Sequence, residues 1–132
     1  MARILIAEDE KQIADMIAFK LTNAGHQVIR AQDGEQAVTL ATQEQPDLIL
    51  LDAMMPGISG FEVLRRLKRD PALKDIGVIM VTAKGHERDV LTGLSGGAID
   101  YVVKPFSLKE LAARVELALR RDPPAPPPAT AA

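Results

Sequence analysis

Five short aliphatic runs alternate with segments of helical spacing along most of the chain: Arg3 to Ala7, Gln27 to Ala31, Asp47 to Leu51, Gly77 to Val81 and Tyr101 to Val103. Such alternation predicts a parallel sheet whose strands are joined by crossover helices. In open folds of that kind the ligand crevice lies outside the carboxyl ends of the strands. Here those ends carry the chemical groups, with Glu8 and Asp9 after the first run, Asp52 after the third, Thr82 after the fourth and Lys104 after the fifth. Three acids, a hydroxyl and an amine are therefore expected to share one pocket.

The intervening segments carry helix signals. Ile13, Met16, Ile17, Lys20 and Leu21, with Phe19 less well placed, give a stripe at three- and four-residue steps, and Asn23-Ala24-Gly25 reads as a stop. Gly34 to Glu44 repeats the theme before Pro46. A third helix is expected from Ser59, as N-cap, through Phe61, Val63, Leu64 and Leu67 to the Asp70-Pro71 break, with Arg65, Arg66, Lys68 and Arg69 on its solvated face. The segment from Glu87 to Leu94 is weaker, because Gly93, Gly96 and Gly97 interrupt it, and it is expected to be the most mobile helix. The last helix opens at Ser107, with Glu110 completing a capping box, and its stripe is Leu108, Leu111, Val115 and Leu119.

Composition bounds the function. A chain of 132 residues suits one domain, and with 47% hydrophobic but only 3% aromatic residues its core must be aliphatic. It has no cysteine, so disulfide and thiol chemistry are excluded. No apolar stretch approaches the roughly 20 residues of a membrane helix, and Met1-Ala2-Arg3 leads into a strand without the layout of a secretion signal. A cytoplasmic location is expected, with no membrane partner. A net charge of −2 gives no general attraction to nucleic acid, so direct DNA binding by this segment is not expected. Residues 1–121 are expected to form the domain. Residues 122–132, rich in proline and alanine, favour extended geometry, as either a disordered tail or a truncated linker.

Glu8, Asp9 and Asp52 would repel one another unless a cation sits among them, and hard oxygen ligands in a compact site suit Mg²⁺. Asp52 is the best nucleophile, since an aspartate can form an acyl phosphate when the incoming charge is neutralised. Lys104 supplies a second positive charge and Thr82 a hydroxyl donor. Pro105 follows the lysine and makes a cis peptide accessible, a turn that would swing Lys104 into the cleft.

These pieces together resemble the receiver domain of bacterial two-component response regulators, the CheY-like family. The resemblance rests on Ile4-Leu5-Ile6-Ala7-Glu8-Asp9-Glu10, Asp47 to Gly57, Val81-Thr82-Ala83 and Gly97 to Phe106, in that order, and covers about residues 3 to 120. It implies a flavodoxin-like (βα)5 three-layer α/β sandwich with a five-stranded parallel sheet in the order 2-1-3-4-5. It also implies phosphorylation of Asp52 by a sensor histidine kinase or phosphotransfer protein. Mg²⁺ would be held by Asp9, Asp52 and the main-chain carbonyl of Met54, with Glu8 holding a metal-bound water. Thr82 and Lys104 would contact the phosphoryl group, and Tyr101 would turn inward as Thr82 moves. Residues 12 to 20 and 105 to 107 would face the kinase.

The last helix most resembles the branch whose output is a winged-helix DNA-binding domain. In that branch charged pairs join two active receivers across the face made by the fourth helical segment, the last strand and the last helix. Asp100 and Arg114 fit one such pair. Val90 and Ile99 depart from the charged residues usual at their positions, which leaves Glu110 without its expected partner and the two apolar residues as a patch for another contact. His26 and His86 have no metal-ligand spacing.

The function expected is a phosphorylation-controlled binding switch that catalyses only its own phosphorylation and dephosphorylation. The alternative is a Mg²⁺-dependent aspartyl-phosphate phosphohydrolase resembling the haloacid-dehalogenase-like phosphatases. Those carry a second aspartate two positions after the nucleophile, where this chain has Met54. A nucleotide or flavin binder would need a glycine-rich loop after the first strand, where Glu8-Asp9-Glu10 would repel phosphate.

Overall fold

The computed structural model describes residues 1–83, 91–92 and 94–120. Its elements are β1 (Arg3–Ala7), α1 (Lys11–Asn23), β2 (Gln27–Ala31), α2 (Gly34–Glu44), β3 (Leu48–Asp52), α3 (Gly60–Arg69), β4 (Gly77–Ala83), β5 (Asp100–Lys104) and α4 (Leu108–Arg120). The five strands form one parallel sheet in the order β2-β1-β3-β4-β5. The expected segment from Glu87 to Leu94, with Val90 and His86, falls largely outside the described residues, as does the chain beyond Arg120.

Period-two alternation divides the core between the two faces of the sheet. Leu5, Ala7, Ile49, Leu51, Val78 and Met80 pack with Ala37 and Ala41 of α2 and with Val63, Leu64 and Leu67 of α3. Ile4, Ile6, Leu48, Leu50, Ile79 and Val102 pack with Ile17 and Leu21 of α1 and with Leu111 and Val115 of α4. This is a three-layer sandwich, and β3 at its centre is buried at every position. Each large aliphatic side chain so enclosed contributes on the order of 2 kcal/mol, with no aromatic needed.

Several boundaries differ from the expectation for physical reasons. β3 begins at Leu48, and Asp47 just before it braces the start of β1, its carboxylate accepting the Arg3 N–H and its own N–H donating to the Arg3 carbonyl, both at 2.8 Å. β4 runs to Ala83, so Thr82 lies within the strand and is buried. On α1 the inward side chains are Ala14, Ile17 and Leu21, while Met16 and Phe19, expected in the apolar stripe, face outward at 49% and 70% exposure. Small Ala14 suits the close approach to the sheet and was the better marker of the buried face.

Capping follows the sequence more closely. Asp33 accepts from the Gln36 N–H, Ser59 from the Glu62 N–H and Ser107 from the Glu110 N–H, at 2.8, 3.2 and 2.9 Å. At α4 the reciprocal half of the capping box is not made, since the Glu110 carboxylate accepts from Arg114 instead. Lys68 is not solvated as expected, and its ammonium turns back onto the α3–β4 loop.

The fold brings α3 directly against the end of β3. Gly60 donates its N–H to the Ala53 carbonyl at 2.9 Å, and a Cβ there would lie 2.9 Å from Ala53 Cα and closer still to the Asp52 carbonyl oxygen. No flexible side chain is available to give way. Gly60→Ala is therefore expected to destabilise the domain by about 1–3 kcal/mol, measured by urea unfolding; an unchanged midpoint would contradict this close approach.

Candidate functional site

Parallel strands running in the same direction deliver their carboxyl ends to one edge, and β1, β3 and β5 bring Glu8, Asp52 and Lys104 together there. The ends of β1 and β3 are fixed by pairing of Ala7 with Leu51, and β4 is paired with β5 through Thr82 and Val103. Lys104 Nζ lies 3.0 Å from Glu8 Oε1, 3.2 Å from Asp52 Oδ2 and 3.4 Å from Glu10 Oε1. The Lys104-Pro105 peptide is cis.

Glu8, Asp9 and Asp52 each offer a carboxylate oxygen within 4.8 Å of the others, with Glu8 and Asp52 buried and Asp9 exposed. Burial raises the Glu8 carboxyl to about 7, and the neighbouring Asp52 adds to the rise through a hydrogen bond and its charge. The Glu10 backbone N–H and Lys104 act in the opposite sense without reversing it. Burial pulls the Lys104 ammonium down, but its hydrogen bond to Glu8 and the charges of Asp52 and Glu8 leave it raised and therefore cationic. Among the described residues one ammonium thus serves this acidic cluster incompletely. This donor set, all oxygen and electrostatically strained, fits a hard divalent cation.

Asp52 is held from the other side as well. Its Oδ1 accepts the Met54 N–H at 3.1 Å, which orients the carboxylate and draws the β3–α3 loop beside it. Met54 itself is exposed. Thr82 Oγ1 makes a long 3.5 Å contact with the Ala83 carbonyl. Tyr101, half-buried on β5, packs against the core on the α2–α3 side of the sheet.

The family model for the response regulator receiver domain matches residues 4–116. The chain belongs to that family. Receiver domains of this kind are modules of two-component systems, and the curated relatives agree. The chain is 50% identical over 121 residues to the phosphate regulon transcriptional regulatory protein PhoB of Pseudomonas aeruginosa, covering 92% of this chain and 53% of that protein. It is 47% identical over 121 residues to the DNA-binding dual master transcriptional regulator RpaA of Synechocystis, covering 92% and 50%. Both relatives are transcriptional regulators by name, in keeping with the transcription-factor branch that the last helix resembles. The chain spans about half the length of the curated relatives it matches. Among solved structures, the receiver domain of the Francisella response regulator 1452 superposes with a TM-score of 0.85 at 33% identity, covering 92% of this chain and 98% of that one. The Vibrio cholerae chemotaxis protein CheY4 gives 0.84 at 29% identity, covering 89% and 98%.

Not every expected contact has the expected form. Asp100 and Arg114 meet within one chain, where the Arg114 Nη1 donates to both Asp100 oxygens at 2.9 Å and Nη2 reaches Glu110 at 3.3 Å. Glu110 thus pairs within its own chain, a contact separate from the cross-copy partner that Val90 would not supply. Ile99 packs into the core on the α1–α4 side instead of joining an exposed patch, and Val90 lies outside the described residues. His26, expected to have no metal role, has a structural one. Its Nδ1 accepts the Ala2 N–H at 3.1 Å and its Nε2 lies 2.6 Å from Glu116, tying β1 to α4. Neither partner is near in sequence, so spacing could not have disclosed the contact. Among the described residues no helix is long and apolar enough to cross a membrane.

The Glu8 carboxyl gives a pH test in chelator-containing buffer. Between its ordinary value of 4.5 and about 7 the folded chain keeps a proton that the unfolded chain releases. The stability so contributed is complete below about 4.5 and declines as pH rises through about 7. Urea unfolding across that window is expected to show a fall on the order of 2 kcal/mol that Glu8→Gln removes; an identical slope in the variant would refute the assignment to Glu8.

Proposed function

We propose that this receiver is a phosphorylation switch in which Asp52 accepts a phosphoryl group from a phosphohistidine of a sensor kinase or phosphotransfer protein. The observation that carries the reading is the convergence of Lys104 Nζ on Glu8 and Asp52 inside an acidic cluster. An Asp52 carboxylate oxygen attacks phosphorus as the P–N bond breaks, and the bond's electron pair returns to the imidazole, which takes up a proton from solvent.

Three anionic equatorial oxygens must be neutralised for this to proceed. Mg²⁺, held by Asp9, Asp52 and the Met54 carbonyl with Glu8 behind a bound water, would supply part of that charge. Lys104 supplies the rest from this chain, exchanging its Asp52 oxygen for a phosphoryl oxygen. Thr82 is the hydroxyl donor, and its long contact with the Ala83 carbonyl is a weak bond to give up.

The phosphoryl group then acts as a ligand with different contacts in two packings. Thr82 and Tyr101 lie on paired strands, so movement of the first toward phosphate opens space for the second to turn inward. A switch from mostly off to mostly on needs on the order of 5 kcal/mol of differential interaction. The exposed Met16 and Phe19 on α1, with the turn at residues 105 to 107, fit the kinase-facing surface. A phosphorylated pair using Asp100 and Arg114 would have to trade the intrachain fork for a cross-copy one. The domain turns over no other substrate, since Met54 provides no proton for rapid hydrolysis.

Two measurements test the proposal. Acetyl phosphate with Mg²⁺ is expected to add one phosphoryl mass to the intact protein, and Asp52→Asn to abolish the addition; equal labelling of the variant would exclude Asp52. Lys104→Ala is expected to retain Mg²⁺ binding but to lose most of the phosphorylation-dependent change in amide spectra around Thr82 and Tyr101. A full spectral response in that variant would remove the lysine from the switch.

A further inference from the structure

The basic residues of α3 divide into two kinds. Arg65 and Arg66 pair on the surface with Glu62, and Arg66 also with Glu35. Lys68 instead turns inward and donates to the backbone carbonyls of Lys74 at 2.9 Å and Ile76 at 3.2 Å. Burial pulls its ammonium down from the ordinary lysine value, and the charge of Asp75 partly opposes this. A charged donor spent on two loop carbonyls, at the cost of desolvation, fixes the position of whatever those carbonyls precede.

They precede β4. The methylene stem of the same side chain lies under the turn that precedes β5, because a Cβ on Gly97 would sit 3.2 to 3.3 Å from Lys68 Cε, Cδ and Cγ. Gly97 has φ +107, so that turn passes over Lys68 in a conformation and at a distance that glycine alone suits. The two lead-ins are joined just beyond, where the Ile99 N–H donates to the Val78 carbonyl at 2.9 Å. One side chain thus touches the segments that lead into both strands carrying Thr82, Tyr101 and Lys104, at the edge of the sheet remote from Asp52.

We infer that Lys68 is a positioning residue for the switch, pinning the starts of β4 and β5 in the arrangement where Lys104 pairs directly with the Asp52 carboxylate. Releasing it lets these strands pass more readily to the arrangement that a phosphoryl group favours. The inference rests on the proposed function, since it concerns the equilibrium that phosphorylation shifts. It differs from a general stabilising role in being confined to two strands and in having a direction.

The test uses beryllium fluoride with Mg²⁺ as the phosphoryl analogue, titrated by amide spectra into the parent and three variants. Lys68→Met keeps the stem and removes the ammonium, Lys68→Ala removes both, and Lys68→Arg keeps a charged donor. Half-saturation is expected to fall at least about threefold in the Met and Ala variants and to stay within about twofold of the parent in the Arg variant. Parent-like or weaker binding by both the Met and Ala variants would overturn the inference while leaving Asp52 as acceptor. Amide hydrogen exchange without analogue separates the two claims. In Lys68→Met it is expected to rise about fivefold or more at Gly97 and Ile99 with no matching rise at Ile4 and Leu5. A parent that fails to bind the analogue would sink the acceptor reading, and exchange that is unchanged, or raised equally in β1, would sink the pin. If Lys68→Met does not fold, the same exchange comparison is made on Lys68→Ala, where the same rise at Gly97 and Ile99 is expected and unchanged exchange there would sink the pin.

Discussion

The central constraint is a charge imbalance: among the described residues, buried acids at the ends of β1 and β3 are answered by one lysine, Lys104. Lys104 reaches Glu8 and Asp52 at about equal distance and cannot satisfy both. The consequence appears in Glu8, whose carboxyl is pushed up to about 7 by burial and by Asp52. A pocket built this way is not at rest electrostatically, and added positive charge lowers its energy. In the proposed function an anion arriving with that charge would be accommodated, because the lysine would change partners without leaving the pocket.

Such a pocket requires rigid walls, and the sheet supplies them. β3 is enclosed on both faces, so the backbone that presents Asp52 cannot yield. Gly60 lets the start of α3 press against that backbone, closing the loop that carries Met54. The opposite wall is less constrained. Among the described residues β5 is an edge strand paired with β4 alone, and Tyr101 and Val103 are less enclosed than the residues of β3. A more enclosed wall and a less enclosed one therefore lie on adjacent parts of one sheet.

Much of this was legible in the sequence. The five aliphatic runs gave every strand to within a residue or two, because alternation on a sheet buried on both faces leaves little freedom of assignment. The chemical residues were legible because they terminate those runs, and parallel pairing then gathers Glu8, Asp52 and Lys104 at one edge. What escaped depended on long side chains and distant partners. Lys68 read as a solvated lysine because nothing local marks a side chain that folds back onto Lys74 and Ile76. Met16 and Phe19 read as core because hydropathy alone counts size, whereas packing of α1 against the sheet favoured Ala14. His26 finds Ala2 and Glu116 only after folding.

The same distinction bears on how a signal leaves the site. Asp100 and Arg114 are joined by a bidentate fork within the chain, so the start of β5 and the middle of α4 are tied at the surface. Lys68 ties the turn before β5 to α3 from beneath. β5 is thus held near its beginning from two directions, while at its far end Lys104 is held by charges that phosphorylation would change. Under the proposed function, a strand anchored at one end and electrostatically loaded at the other would convert a local change of partner into a displacement along its length. Tyr101 lies between those ends, next to the fork and opposite Met80, where small movement of the strand alters how its ring packs.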